Sequence, residues 1–170
     1  MFLFPMKKAL FALLLALGSL VSMAQEVYPF YYPCRAEETD EWGYVDKDNE
    51  WVIRPQYDAL LYETNGGMYP VSMGGKWGFV GVSGEPLVDI KYDAAVCEID
   101  YQKGHYPVNF AAVRLRGKWA FINVQGVFVT DFKYDEVLIL NGKYVIRMKS
   151  VDGKMRVGHL NKDAKEVWDE

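Results

Sequence analysis

The sequence predicts an all-β protein, an array of antiparallel β-hairpin repeats stacked like a short solenoid, and three observations predict it. A stretch of seventeen residues recurs without a gap. Within it, glycine or asparagine returns at one fixed place. Between these turn residues the chain is rich in β-branched and aromatic side chains.

Trp42 to Asp58 aligns with Trp77 to Asp93 and with Trp119 to Asp135, the starts lying 35 and 42 residues apart. A fourth, eroded copy begins at Val157, where Gly158-His159-Leu160 stands for the Gly-aromatic-aliphatic core, and it stops before any Tyr-Asp. Atypical terminal units are what a stacked array needs at its ends. A small β-propeller-like closure is the architectural alternative, because a repeat near 40 residues also supplies the strands of one blade. The two differ in whether the first and last units touch.

Each element follows from its residues. Asn49, Gly84 and Gly126 share one position, and these are the residue types that accept positive φ, so a tight hairpin turn is expected there. Gly75-Lys76 and Gly117-Lys118 mark a second turn before the motif, and Gly153-Lys154 does so less regularly. In Phe110 to Arg116, Val113 and Leu115 alternate with Arg114 and Arg116, the period of a half-buried strand. Trp77 with Phe79, and Trp119 with Phe121, fall on one face of their strands and are expected to form the core between units. Gly43 and Gly78 leave room for a neighbouring backbone, although Ala120 stands there in the third copy. Tyr57-Asp58, Tyr92-Asp93 and Tyr134-Asp135 read as corners, with Tyr inward and Asp bonding the amides of the next turn. No stretch carries a capped helix signature.

The pattern Trp-Gly-(Phe/Tyr)-Val, a turn residue seven positions after the Trp and a closing Tyr-Asp resembles the WG-containing β-repeat family of bacterial, often exported, proteins. The resemblance runs from Trp42 to Asp135 and reaches the C-terminus weakly. It implies a repeat scaffold and carries over no catalytic residue.

Residues 1–24 read as a signal peptide: Lys7 and Lys8 precede an apolar run from Ala9 to Leu17, and Ser22 and Ala24 suit cleavage after Ala24. That run is shorter than the roughly 20 residues a membrane helix needs, and no later segment is apolar enough to span once the leader is removed. Cleavage leaves 146 of 170 residues, one domain's worth. It divides into an aromatic and acidic segment, 25–41, and a repeat domain, 42–170. Export to the periplasm or the extracellular space is the expected localisation. Seventeen basic against 23 acidic residues give the mature chain a net charge of −6, which argues against nucleic acid or an anionic membrane as partner. In an oxidising compartment Cys34 and Cys97 have the option of a disulfide, stabilising by about 4 kcal/mol in the chain-entropy model, or of remaining two separate buried thiols.

Chemistry is sparse. Of the two histidines, His159 replaces the motif aromatic in the fourth copy and reads as a half-buried structural residue, whereas His105 lies in a predicted loop. A hydrolase would require one of them to meet a nucleophile, and no Ser or Cys stands in such a context. Asp46-Lys47-Asp48-Asn49-Glu50 has a superficial likeness to a calcium loop but coincides with the hairpin turn and lacks the mid-loop glycine. No metal or cofactor site is read. Tyr28-Pro29-Phe30-Tyr31-Tyr32-Pro33 offers rings for a sugar or peptide, or an edge strand that covers the end of the array.

The spacing between the second and third copies adds residues around Tyr101 to Pro107, and insertions in arrays map to loops that carry recognition. The expected contact region is therefore Tyr101, His105 and Tyr106, with Tyr62 and Tyr69 from the preceding unit. The expectation is a non-enzymatic module that binds an envelope or extracellular protein; the alternative is a carbohydrate or cell-wall binder using exposed aromatics.

Overall fold

Two-residue turns with both φ values positive, at Gly74-Gly75 (60° and 71°) and Arg116-Gly117 (52° and 82°), connect the first strands of the hairpins. This geometry matches the right-handed twist of paired strands. The computed structural model describes residues 31–61, 66–97, 110–140 and 143–169, and among them every helix or strand is a strand. The leader and the residues Tyr62, Tyr101, His105 and Tyr106 lie outside the described residues.

Four antiparallel sheets follow one another along the chain. The first contains β1 (Tyr32–Arg35), β2 (Trp42–Val45) and β3 (Trp51–Tyr57). The second contains β4 (Ala59–Leu60), β5 (Tyr69–Met73), β6 (Lys76–Val80) and β7 (Pro86–Tyr92). The third contains β8 (Ala94–Cys97), β9 (Phe110–Leu115) and β10 (Lys118–Asn123). The fourth contains β11 (Glu136–Leu140), β12 (Lys143–Lys149), β13 (Met155–Leu160) and β14 (Glu166–Trp168). The array thus begins before Trp42, because β1 pairs with β2 as an edge strand. Among the described residues the sheets do not close into a propeller.

The hairpin turn within the motif has positive φ at Asn49, Gly84 and Gly126, and also at Ala164 in the eroded copy. An Asx cap holds three of these turns: the Oδ1 atoms of Asp46, Asn123 and Asn161 each accept backbone amides two and four residues on. The second copy has Gly81 at that position. There Glu85 swings in, its Oε2 accepting from Ser83 N at 3.0 Å.

Gly78 faces a double irregularity. Trp77 pairs with Tyr92 and Phe79 with Val88, so extra residues of β7 crowd against it. A Cβ on Gly78 would lie 2.6 Å from the Val88 carbonyl oxygen, and one on Gly43 would meet Ile53 O closer still. Ala120 is the test of that constraint. The third copy keeps the same register, with bridges Trp119–Tyr134 and Ile122–Phe128, but its continuous strand is lost. There Phe121 N donates at 2.9 Å to the Thr130 hydroxyl.

Three cores fill the spaces between successive sheets. Tyr44, Ile53 and Tyr57 meet Tyr69, Val71 and Val80; Phe79, Val88 and Tyr92 meet Ala111, Val113 and Ile122; Phe121 and Tyr134 meet Tyr144, Ile146 and Leu160. Adjacent residues of a strand therefore serve different cores, as Phe79 and Val80 do. The half-buried alternation expected of Val113 to Arg116 is present, with Val113 buried, Leu115 half-buried and Arg114 and Arg116 exposed, while Phe110 to Val113 are all buried, alternating between the cores on either side.

Candidate functional site

The corner residues behave as their chemistry requires. Tyr57, Tyr92 and Tyr134 are buried, and the aspartate after each ties its unit to the next hairpin. Asp58 Oδ2 accepts from Gly74 N at 2.5 Å, Asp93 Oδ2 from Arg116 N at 2.9 Å, and Asp135 Oδ2 from Lys149 N at 2.7 Å. The other oxygens of Asp93 and Asp135 take the lysines that precede their own tryptophans, Lys76 at 2.6 Å and Lys118 at 2.5 Å. Lys76 and the Arg116 amide hold the Asp93 carboxyl below its ordinary range, and Lys118 and the Lys149 amide do the same for Asp135.

Glu166 fastens the last strand. Its Oε1 accepts from the Tyr134 hydroxyl at 2.6 Å and meets Lys133 Nζ at 2.5 Å, while Trp168 Nε1 donates to Oε2 at 3.1 Å. Burial opposes ionisation of Glu166, but Lys133 and Tyr134 outweigh it and hold the carboxyl low. Burial first, and this carboxylate second, raise the Tyr134 hydroxyl pKa.

Of the expected contact residues, the structure describes one, and it corrects that reading. Tyr69 is buried in the first core, stacked on Tyr31 at 5.0 Å and edge-on to Tyr44 at 5.0 Å. It sits on the face of β5 that meets the first sheet, with its ring covered from solvent. The structure also holds Cys34 and Cys97 as thiols rather than a bridge. Cys34 lies on the first sheet's outward face, opposite Gly43, and Cys97 lies in the core between the second and third sheets, so the second sheet stands between them. His159 is half-buried, with Val145 and Val167 as its cross-strand neighbours. Asp46 directs its carboxylate into its own turn, where the amides of Glu50 and Asp48 lower its pKa. Among the described residues no group of three or more His, Cys, Asp or Glu is placed to hold a metal ion.

A different cluster comes together on the flank of the array. Phe128 is 44% exposed and Val127 58% exposed, side by side at the end of the third copy's turn. Behind Phe128 stand Phe132, at 5.3 Å between ring centroids, and Tyr92, at 6.4 Å. Tyr92 and Phe132 stack at 6.1 Å, and the Lys91 ammonium lies 5.6 Å from the Tyr92 ring centre. Asp89 accepts from Lys91 at 2.8 Å; this carboxylate, then Tyr92, raises the lysine's pKa, and the ammonium stays charged. The result is a rigid aromatic platform with a cation at its margin, suited to an apolar or aromatic side chain.

Sequence reading missed Val127 and Phe128, although the signal was present. The other copies place Glu50-Trp51, Glu85-Pro86 and Lys165-Glu166 at these positions, so only the third makes both apolar. Comparison with known families gives matches to the WG containing repeat at residues 42–77 and 77–119. Neither a curated protein nor a solved structure gives a match. The sheet pattern itself continues past the matched residues, through β14.

Proposed function

From the premise that this chain belongs to the WG containing repeat family through residues 42–119, we propose that it is an exported, non-enzymatic binding scaffold of the cell envelope whose partner is another protein. The observation that carries this reading is the exposed Phe128 ring, backed by Phe132 and Tyr92, with the exposed Val127 next to it in the chain. A solvent-facing aromatic held rigid by two further rings loses little side-chain entropy when a partner covers it, which is the character of an interface anchor. The stacked sheets supply the rigidity, since Tyr92 belongs to β7 and its ring is fixed in a core. The leader-like residues 1–24 support export.

The test is affinity capture from an envelope fraction with the wild-type chain and with Phe128→Asp, run beside a glycan panel. A protein retained by the wild type and lost with Phe128→Asp supports the reading. Capture that survives the substitution overturns it. Glycan binding that depends on the rings would replace it with the carbohydrate reading. N-terminal sequencing of the protein from fractionated cells should begin at Gln25, and an uncleaved cytoplasmic chain would refute export.

A further inference from the structure

The array's two end faces are complements of each other, and the reason lies in the register. Each sheet except the first receives the preceding unit on one set of positions. In the second sheet these are Tyr69 opposite Val80 and Val71 opposite Gly78; in the third, Ala111 opposite Ile122 and Val113 opposite Ala120. In the fourth, Tyr144, Ile146 and Leu160 play this part. The matching pairs in the first sheet are Tyr32 opposite Val45 and Cys34 opposite Gly43, on the face turned away from the second sheet; Val45 and Gly43 are buried there, and the exposed rings are Tyr32, at 49%, and Trp51, at 40%.

The other end shows the reverse set. The positions that press on the following sheet are Pro33–Tyr44–Ile53, then Pro70–Phe79–Val88, then Val96–Ala112–Phe121. In the fourth sheet the corresponding row is Leu138–Val145–His159–Val167, read straight across all its strands. It faces outward, with Leu138 39% and Val167 41% exposed. Three times among the described residues a row of this kind is covered by a receiving face, and the first and last described sheets each present one member of that pair.

Charge selects the pairing. Residues 31–58 carry eight acidic and three basic side chains, a net −5, whereas residues 136–169 carry five acidic and seven basic, a net +2. Stacking two fourth sheets, or two first sheets, sets like charge against like; stacking fourth on first sets opposite charges together. We propose that copies of this chain associate head to tail, the fourth sheet of one on the first sheet of the next, so that the stack of sheets continues between molecules. Such an interface is heterologous and open-ended, and it grows with concentration. It is independent of the flank at Phe128 and leaves that surface accessible along the assembly.

Sedimentation of the purified protein from about 10 µM to about 1 mM, the range of weak interfaces, reads the association. The expected result is a weight-average mass that rises without a plateau at the dimer. Leu138→Asp and Trp51→Asp, both at exposed positions, should each abolish growth while leaving circular dichroism and melting unchanged; Val167→Asp replaces Leu138→Asp if that variant misfolds. Mixed in equal amounts, the two variants should form a dimer that grows no further, because one keeps an intact first sheet and the other an intact fourth. A monomer throughout the range overturns the proposal. So does a dimer formed by Trp51→Asp alone, which would mean fourth sheet on fourth sheet, and so does a mixture that stays monomeric.

Discussion

The carboxylate of Asp93 accepts the backbone amide of Arg116 at 2.9 Å across 23 residues of chain, while its second oxygen holds Lys76. One side chain thereby fixes the corner of its own repeat and the hairpin turn of the next. Asp135 repeats the arrangement with Lys149 N and Lys118. Asp93→Ala removes both bonds and leaves the positive-φ turn at Arg116-Gly117 without its brace, so the melting temperature should fall. The first copy has Glu41 where the second and third have lysine. Glu41→Lys supplies the missing partner for Asp58, and the melting temperature should rise by about 1–3 °C.

Acid should weaken the fold through the same groups. Asp93, Asp135 and Glu166 all have carboxyl pKa values held below their ordinary range in the folded protein. As pH falls through the unfolded values, about 3.9 for Asp and 4.3 for Glu, the unfolded chain takes up protons that the native state still refuses. Stability present above that range is therefore lost progressively below about pH 5. Urea midpoints measured from pH 7 to pH 3 should show the fall, and Lys76→Ala with Lys118→Ala should flatten it. An unchanged slope in that double variant would remove the assigned cause.

Gly78 and Val88 should be coupled. Gly78→Ala drives a methyl into the Val88 carbonyl and should cost about 1–3 kcal/mol. The third copy solves the same problem with Ala120 and the hydroxyl of Thr130. Adding Val88→Thr, the residue at Thr130's position, should restore part of the loss. Chemical denaturation of the wild type, both single variants and the double variant measures that coupling, and strict additivity would show that the hydroxyl bridge is not what accommodates the methyl.

Glu166→Gln should loosen the C-terminal strand. It removes the charge that Lys133 meets and one acceptor for Trp168, at a cost of about 1 kcal/mol. Hydrogen exchange should speed up in β14 before it does in the second and third sheets.

The legible parts of the fold were those decided within a few residues. Positive φ at Asn49, Gly84 and Gly126 follows from residue types that tolerate it, and the corner role of Asp58, Asp93 and Asp135 follows from a short carboxylate beside a turn. Ala164 took the same conformation without that signature, because the Asn161 side chain fixes the turn around it. Among the candidate site residues, Tyr69 misled because its ring is buried by Tyr31, just before β1, and by Tyr44 of the first sheet. Val127-Phe128 is legible in the sequence as the one copy apolar at both positions, but the backing of Phe128 by Tyr92 and Phe132 belongs to the tertiary structure.

The sequence by itself determined the repeat, its turns, its corners and the alternation of side chains along each strand, since all of these are set by local backbone preference and a period of two. That alternation says that a strand has two different faces. Only the tertiary structure decided which of them is covered, because burial belongs to neighbours in space: Phe110 to Val113 lie between two sheets and are buried on both sides, whereas Leu138 and Val167 carry the same kind of row on the last sheet and meet water.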